Sequence, residues 1–329
     1  MTMSSVGILS AARYLPDRTA PIADVLASDG LAVPPDTGDR LGIAQVHVFE
    51  GESPTEMAVA VSRQALDAAG LAPTDLDAII DFSVMPQRYV EPAWSMSNEL
   101  QAELGAKGAF TLGFSGGGSA NLHAALKFAR ALIRANDDVD TILLAAADQA
   151  IPGNRVLAAG APVTVIGDAA SAVIVRRDAP SATLVDVAAR STGARHDVLN
   201  IPGGGMAHPT RLDLYRLMLD EAHYTAADRM TELRQVVDAL LARNGLTRDD
   251  IAHFITANIS RDDSEAFASA MATNGRLVPG DLAACGHVHS CDLVFTYLDL
   301  ARAGGKPGDL VLIASHGMGF FRGATLVKL

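Results

Sequence analysis

The sequence predicts an α/β protein built from a duplicated βαβα unit, and three observations carry that prediction. Apolar runs of strand length, such as residues 78–84 and 140–147, alternate with stretches of helical spacing. The pattern then returns: a helix end, an acidic turn and an apolar strand occur at LAPTDLDAIIDFSV, residues 71–84, and again at LTRDDIAHFITANIS, residues 246–260. Composition agrees, since 49% of the 329 residues are apolar but only 5% are aromatic, which suits small side chains packed between helices and buried sheets. The repeat places a boundary near residue 180, between a first half at 1–180 and a second at 181–329.

Each element has its own signal. Residues 6–12 read as a first strand ended by Tyr14-Leu15-Pro16, and residues 17–52, rich in Pro, Asp and Gly, read as irregular. Ser53-Pro54-Thr55-Glu56 is a helix start with a serine cap and a proline in the first turn; Met57, Val61, Ala65 and Leu66 line one face before Gly70 stops the helix. A second helix is expected at 91–104, ended by Gly105. Residues 163–175 read as a turn at Gly167-Asp168 followed by a buried run, and 183–189 as a strand pairing antiparallel with it. The loop 190–211 holds Gly203-Gly204-Gly205, either a flexible turn or a phosphate contact. Helices are expected at 212–223, 226–244 and 293–302, and a last strand pair at 310–315 and 323–327.

A net charge of −12 with no long run of either sign argues against a nucleic-acid groove or an anionic membrane surface. The first residues show no basic segment followed by an apolar one, and no stretch approaches about 18 uninterrupted apolar residues, so a soluble cytoplasmic protein is expected. Cys285 and Cys291 enclose His287 and His289 in CGHVHSC. Zinc sites usually pair knuckles from separate elements, and the chain has no further cysteine; no metal is expected.

The centre of the chain is AFTLGFSGGGSAN, residues 109–121, a short apolar run, a glycine-rich turn and a helix start. Glycines let the backbone adopt positive φ and let another chain or a substrate come close, and a helix N-terminus favours negative charge. Ser115 among these glycines is therefore a candidate nucleophile. The same stretch also reads as a plain turn or a phosphate loop.

An ordered series of motifs supports a sharper expectation. Tyr14-Leu15-Pro16, Arg40-x-Gly42-Ile43, Glu56-Met57-Ala58, Ala109-Phe110, Ser115-Gly116-Gly117, Gly167-Asp168-x2-Ser171-Ala172 and Gly317-Met318-Gly319-Phe320 together resemble the ketoacyl-ACP synthase III family over nearly the whole chain. The resemblance implies the thiolase fold, a duplicated five-layer αβαβα arrangement with two mixed sheets, and a homodimer. It also implies an acyl thioester on CoA or an acyl carrier protein as substrate, with no separate cofactor. Arg40 matches a family position near the CoA entrance, and a backbone N–H near Gly319 matches the family's oxyanion contributor.

The departures from the family are informative. Its nucleophilic Cys corresponds best to Ser115, with Gly116 and Ser119 as the alternatives left by shifts of register. Its catalytic His in an HQAN-like segment is missing, since Phe254-Ile255-Thr256-Ala257-Asn258 matches only the Ala-Asn end, and its Gly-Asn pair is here Gly286-His287. Loss of that His removes one donor for the enolate that forms on decarboxylation. A serine needs a base, for which His287 is placed, and Asp292 five residues on can fix its tautomer; His289 and His316 are nearby alternatives. Ser115, His287 and Asp292 thus resemble the family's acyltransferase branch, which moves acyl groups without decarboxylation. The expected activity is acyl transfer through an acyl-Ser to a small-molecule acceptor in specialised, polyketide-type metabolism. The alternatives are a catalytically silent subunit partnering an active paralogue and a thioester hydrolase.

Overall fold

The computed structural model describes residues 4–30, 34, 36–89 and 93–329. Nine strands form the main sheet: β1 (Val6–Tyr14), β2 (Ala78–Asp81), β3 (Phe110–Gly113), β4 (Thr141–Asp148), β5 (Ala169–Arg177), β6 (Thr183–Ser191), β7 (His253–Ile255), β8 (Leu310–Gly317) and β9 (Phe321–Lys328). Their order is β3-β2-β4-β5-β1-β6-β9-β8-β7. β2 runs parallel to β3 and β4, while β5 runs antiparallel to β4 and β1. The second half repeats this: β7 runs parallel to β8, and β9 runs antiparallel to β8 and β6. The halves join edge to edge at β1 and β6, at Gly7 opposite Thr183. A side chain at Gly7 would press on the carbonyls of Ser181 and Ala182, so this junction depends on glycine.

Six longer helices complete the layers: α1 (Pro54–Ala69), α2 (Met96–Leu104), α3 (Asn121–Ala135), α4 (Ala226–Arg243), α5 (Arg261–Met271) and α6 (Cys291–Leu298). α1 and α2 cover the outer face of the first-half strands, and α4, with α5 against it, covers those of the second. α3 touches strands of both halves, β4, β5 and β1 on one side and β6 and β9 on the other, while α6 packs on β1, β4, β5 and β7. The layers are therefore helix, sheet, helix, sheet, helix. Apolar side chains fill each interface: Leu122, Leu126 and Ile133 of α3 with Leu293 and Phe295 of α6 in the middle, Met57, Val61 and Leu66 under α1, and Leu233, Val237 and Leu240 under α4. The start of α1 is the expected one, with Ser53 accepting from the Glu56 amide and the Glu56 carboxylate accepting from the Ser53 amide.

Several expectations change. The irregular stretch 17–52 contains a strand pair, Thr19–Pro21 with Gln45–His47, and short helices Ile22–Ser28 and Thr37–Leu41. The strands at 169–177 and 183–191 do not pair directly, because β1 lies between them. Residues 212–223 are not a helix; two single turns flank a two-residue strand, Met218–Leu219, paired with Leu199–Asn200. Leu212, Tyr215 and Leu219 stand at helical spacing, but no neighbour covers that face: Leu212 and Tyr215 stay exposed, and Leu217 on another side is the one buried instead. The helix expected at 91–104 spans Met96–Leu104, and residues 90–92 lie outside the described residues.

Candidate active site

The two halves meet chemically where two central helices begin. α3 starts after a single 3-10 turn, Gly118–Ala120, that carries Ser119. α6 starts at Cys291, and Asp292 lies in its first turn. Ser290, just ahead of α6, donates its hydroxyl to the Gly118 carbonyl at 2.9 Å and ties the two starts together.

Between them lies a hydrogen-bonded line of three side chains. Ser119 Oγ is 3.1 Å from His287 Nε2, and His287 Nδ1 is 2.6 Å from Asp292 Oδ2. All three are buried, at 6%, 5% and 0% exposure. Asp292 also accepts from the Val288 amide at 2.9 Å and the Asn258 amide at 2.8 Å. A carboxylate held by two amides acts as acceptor toward the imidazole as well. Nδ1–H therefore donates to Asp292, and the Nε2 lone pair faces the serine hydroxyl. The hydroxyl thus has a base within reach, and the base has an orienting carboxylate.

The backbone explains why this sequence sets that geometry. Gly286 has φ +65°, and a side chain there would come within 2.6 Å of Val46 and 2.7 Å of the Val165 carbonyl. The next residue is then fixed as a strand partner: the His287 amide donates to Val165 and its carbonyl accepts from Gly167. Gly118 has φ +52°, and a Cβ on it would strike the Met318 amide, so the glycine run lets the turn after β8 lie directly on the turn that carries Ser119. Asn121 braces the same turn. Its Oδ1 accepts from the Gly117 amide at 2.8 Å, while Nδ2 donates to the carbonyls of Phe82, Ser83 and Phe114. From the far side, Ser315 Oγ donates to the Ser119 carbonyl and accepts from His123, whose Nδ1 meets Thr325. Burial pushes His123 down to about 3, so it is neutral and structural.

Ser115 does not occupy this position. It is exposed on the loop after β3 and lines a different, open cavity with Asp81, Tyr89, Trp94 and Tyr215. The hydroxyl that meets His287 is that of Ser119, four residues further on. The glycines extend the loop past Ser115 before the helical turn begins, so the corner at the helix start falls on Ser119. One sequence signal marks it: Ser119 stands three, seven and fourteen residues ahead of Leu122, Leu126 and Ile133, on the face that α3 buries. Asn121 and Ser290 carried no such signal.

The other expected residues are placed as follows. Arg40, in the short helix Thr37–Leu41, pairs with Asp36 at 3.3 Å and Asp262 at 3.9 Å and lines an outer cleft with Arg229. Tyr224 and Ile259 line both this cleft and a narrow inner cavity at Ser119 and His287, so the two adjoin across these side chains. Gly319 lies in the turn Met318–Phe320, whose first residue rests against Gly118. Leu157, Ile166, Leu199, Leu217 and Met318 make the inner cavity mostly apolar, and His289 and His316 also reach it. Asp168 of the Gly-Asp motif is structural: it accepts from the Phe49 and Ala150 amides and holds Arg155 in a two-pronged ion pair. Cys291 is buried, receives the Ser171 hydroxyl, and is pushed far up in pKa by burial, which makes it inert.

Two buried acids frame the site. Asp148, at the end of β4, accepts from the Val84 and Met85 amides. Burial nevertheless pushes it up to about 7, with the Asp81 charge adding to the rise. Asp263 shows the opposite: burial would raise it, but His316 and Arg229, the latter at 2.6 Å, hold it down to about 2.

Residues 241–329 match the family described as 3-Oxoacyl-[acyl-carrier-protein (ACP)] synthase III C terminal. The chain is 29% identical to the beta-ketoacyl-[acyl-carrier-protein] synthase III of Nitratidesulfovibrio vulgaris over 88% of its length and 87% of that protein. It is 28% identical to the corresponding synthase of Rhodospirillum centenum over the full length of both. Among solved structures, the 3-oxoacyl-(acyl carrier protein) synthase III of Pseudomonas aeruginosa PAO1 superposes with TM-score 0.82 at 20% identity, covering 98% of each chain. A variant of OleA from Xanthomonas campestris superposes with TM-score 0.82 at 14% identity, covering 99% of this chain and 98% of that one. These structural likenesses establish the thiolase fold.

Proposed function

We propose, for a chain that is ketoacyl-ACP synthase III-like in sequence and thiolase-like in fold, an acyltransferase that works through an acyl ester on Ser119. The single observation carrying this reading is the continuous line from Ser119 Oγ through His287 to Asp292. As Oγ bonds to the thioester carbonyl carbon, its proton passes to His287 Nε2; the C–S bond then breaks, and the imidazolium returns the proton to the leaving thiolate. In the second step an acceptor thiol, hydroxyl or amine gives its proton to Nε2 and bonds to the acyl carbon. Ser119 Oγ leaves and takes that proton back. An N–H of the turn holding Gly319 serves as oxyanion donor in this scheme.

Decarboxylative condensation is the less supported chemistry. The segment 254–258 brings no histidine to the site; Ile255 is buried core, and Asn258 contributes its backbone amide to Asp292. The cleft at Arg40 is the entrance for the CoA or carrier-protein arm, and the acceptor is a small molecule of specialised metabolism. A homodimer is part of the reading, supported by the sheet edge at β3, where Phe110 is 43% exposed.

The test is intact-protein mass spectrometry after mixing the protein with a panel of acyl-CoAs and acyl carrier proteins. A covalent adduct is expected on the native chain and on Ser115→Ala, and none on Ser119→Ala. An adduct persisting in Ser119→Ala defeats the assignment, and no adduct with any donor returns the chain to the silent-subunit reading.

A further inference from the structure

The inner cavity is mostly apolar, yet three buried polar side chains on its wall lack a hydrogen bond of normal length, His316 having only the longer approach of Asp263 Oδ2 at 3.8 Å. Both ring nitrogens of His289, Oγ1 of Thr164 and Nε2 of His316 lack a hydrogen-bond partner among the described residues. Their residues are 2%, 0% and 6% exposed, and all three line the same cavity as Ser119 and His287. An unpartnered buried donor or acceptor costs about 1–3 kcal/mol, so three around one small space form a standing demand for a polar guest. His289 adds a second cost, because it sits at φ +54°, a backbone region that a non-glycine residue enters at a penalty. Its ring stands edge-on to His287 at 4.9 Å between centroids.

We propose that the acyl group carried to Ser119 bears an uncharged oxygen or amide substituent, such as a hydroxyl, keto or carboxamide group, which His289, Thr164 and His316 recognise. The proposal rests on the Ser119 reading for the position of the acyl carbonyl, and it adds the substrate class.

The charge of the guest follows from the wall. Burial and the neighbouring His287 hold His289 well below its ordinary pKa, so that ring is neutral, and burial lowers His316 against the opposing pull of Asp263 at 3.8 Å. Of the two guanidiniums whose charges reach His316, Arg229 is engaged by Asp263 and Arg322 by Glu232. A carboxylate-bearing acyl group would enter without a counter-charge, whereas a neutral group that both donates and accepts satisfies a neutral imidazole and a threonine hydroxyl. A plain alkyl chain would leave all three unmet, and sites built to hydrogen-bond a substrate group discriminate strongly against analogues that lack it.

Binding separates this proposal from the chemistry at Ser119. In Ser119→Ala, calorimetry with butyryl-CoA, 3-hydroxybutyryl-CoA and succinyl-CoA is expected to rank the hydroxyacyl thioester at least about tenfold tighter than the other two. Thr164→Val, which keeps shape and removes only the hydroxyl, and His289→Phe are expected to erase most of that preference. If His289→Phe does not fold, Thr164→Val alone decides. Equal or weaker binding of the hydroxyacyl thioester, or a preference untouched by Thr164→Val, overturns the proposal even if Ser119 is acylated. Failure of acylation in the native chain, with the binding preference intact, overturns only the nucleophile assignment.

Discussion

Asp292 offers the cleanest single-residue perturbation of the site. Asp292→Asn keeps the shape but presents an N–H toward His287 or loses the acceptor that fixes Nδ1–H, so the imidazole no longer offers a lone pair to Ser119. The acylation rate, measured by single-turnover mass spectrometry, is expected to fall on the order of 10³-fold or more while the chain stays folded. Asp148 gives a pH signature of a different kind. Its native pKa of about 7 lies above the unfolded value near 3.8, so between these values the native state holds a proton that the unfolded chain has lost. Stability from this group is therefore present below pH 4 and declines as pH rises toward 7, with a slope of at most about 1.4 kcal/mol per pH unit. Asp148→Asn is expected to remove that decline, seen as a smaller fall in thermal midpoint between pH 5 and pH 8 than the native chain shows. At this scale the sequence was half legible. The His287–Asp292 pair stood out because its spacing within one helix start is local, whereas the partner serine depended on how far the glycine run unwinds before α3 begins. That is a tertiary matter: it is settled by the turn after β8 lying against Gly118, 200 residues away in the chain.

At the scale of an element, the turn before α3 sets where Ser119 sits. Gly116, at φ +87°, faces open space, but Gly118, at φ +52°, faces the Met318 backbone. Gly116→Ala is expected to cost only about 1 kcal/mol, the ordinary penalty of a left-handed alanine. Gly118→Ala must also displace the turn at Met318, and with it Ser119. Thermal unfolding and acylation rates for the pair are expected to show the larger loss of both at Gly118, and a Gly118→Ala chain with native acylation would show that the contact is not needed. Strongly capped or fully apolar elements, such as α1 with Ser53-Pro54-Thr55-Glu56 and the run in β4, were legible because their signals are local. The pieces between residues 17 and 52 were not. Each is too short to show a period, and Thr37–Leu41 is helical because Leu41 packs with Val25, Leu26 and Val46 in a small separate core.

Across the whole molecule, the duplicated pattern was readable because β2, β4, β5 and β1 recur in kind as β7, β8, β9 and β6, with a 3-10 turn ahead of both β2 and β7. What the pattern did not show is that β1 separates β5 from β6, since strand order is fixed by contacts between segments far apart. The free edge at β3 carries the dimer expectation, and Phe110→Glu there is expected to shift the mass measured by light scattering from two chains to one; a native chain that is already monomeric would refute the expectation. One further consequence follows from Ser290 holding the Gly118 carbonyl. Ser119 lies in the first half and His287 and Asp292 in the second, so on the proposed acyltransferase reading neither half holds the whole centre. Catalytic competence is thus a property of the seam, and turnover reports whether the two portions have docked as faithfully as any structural probe.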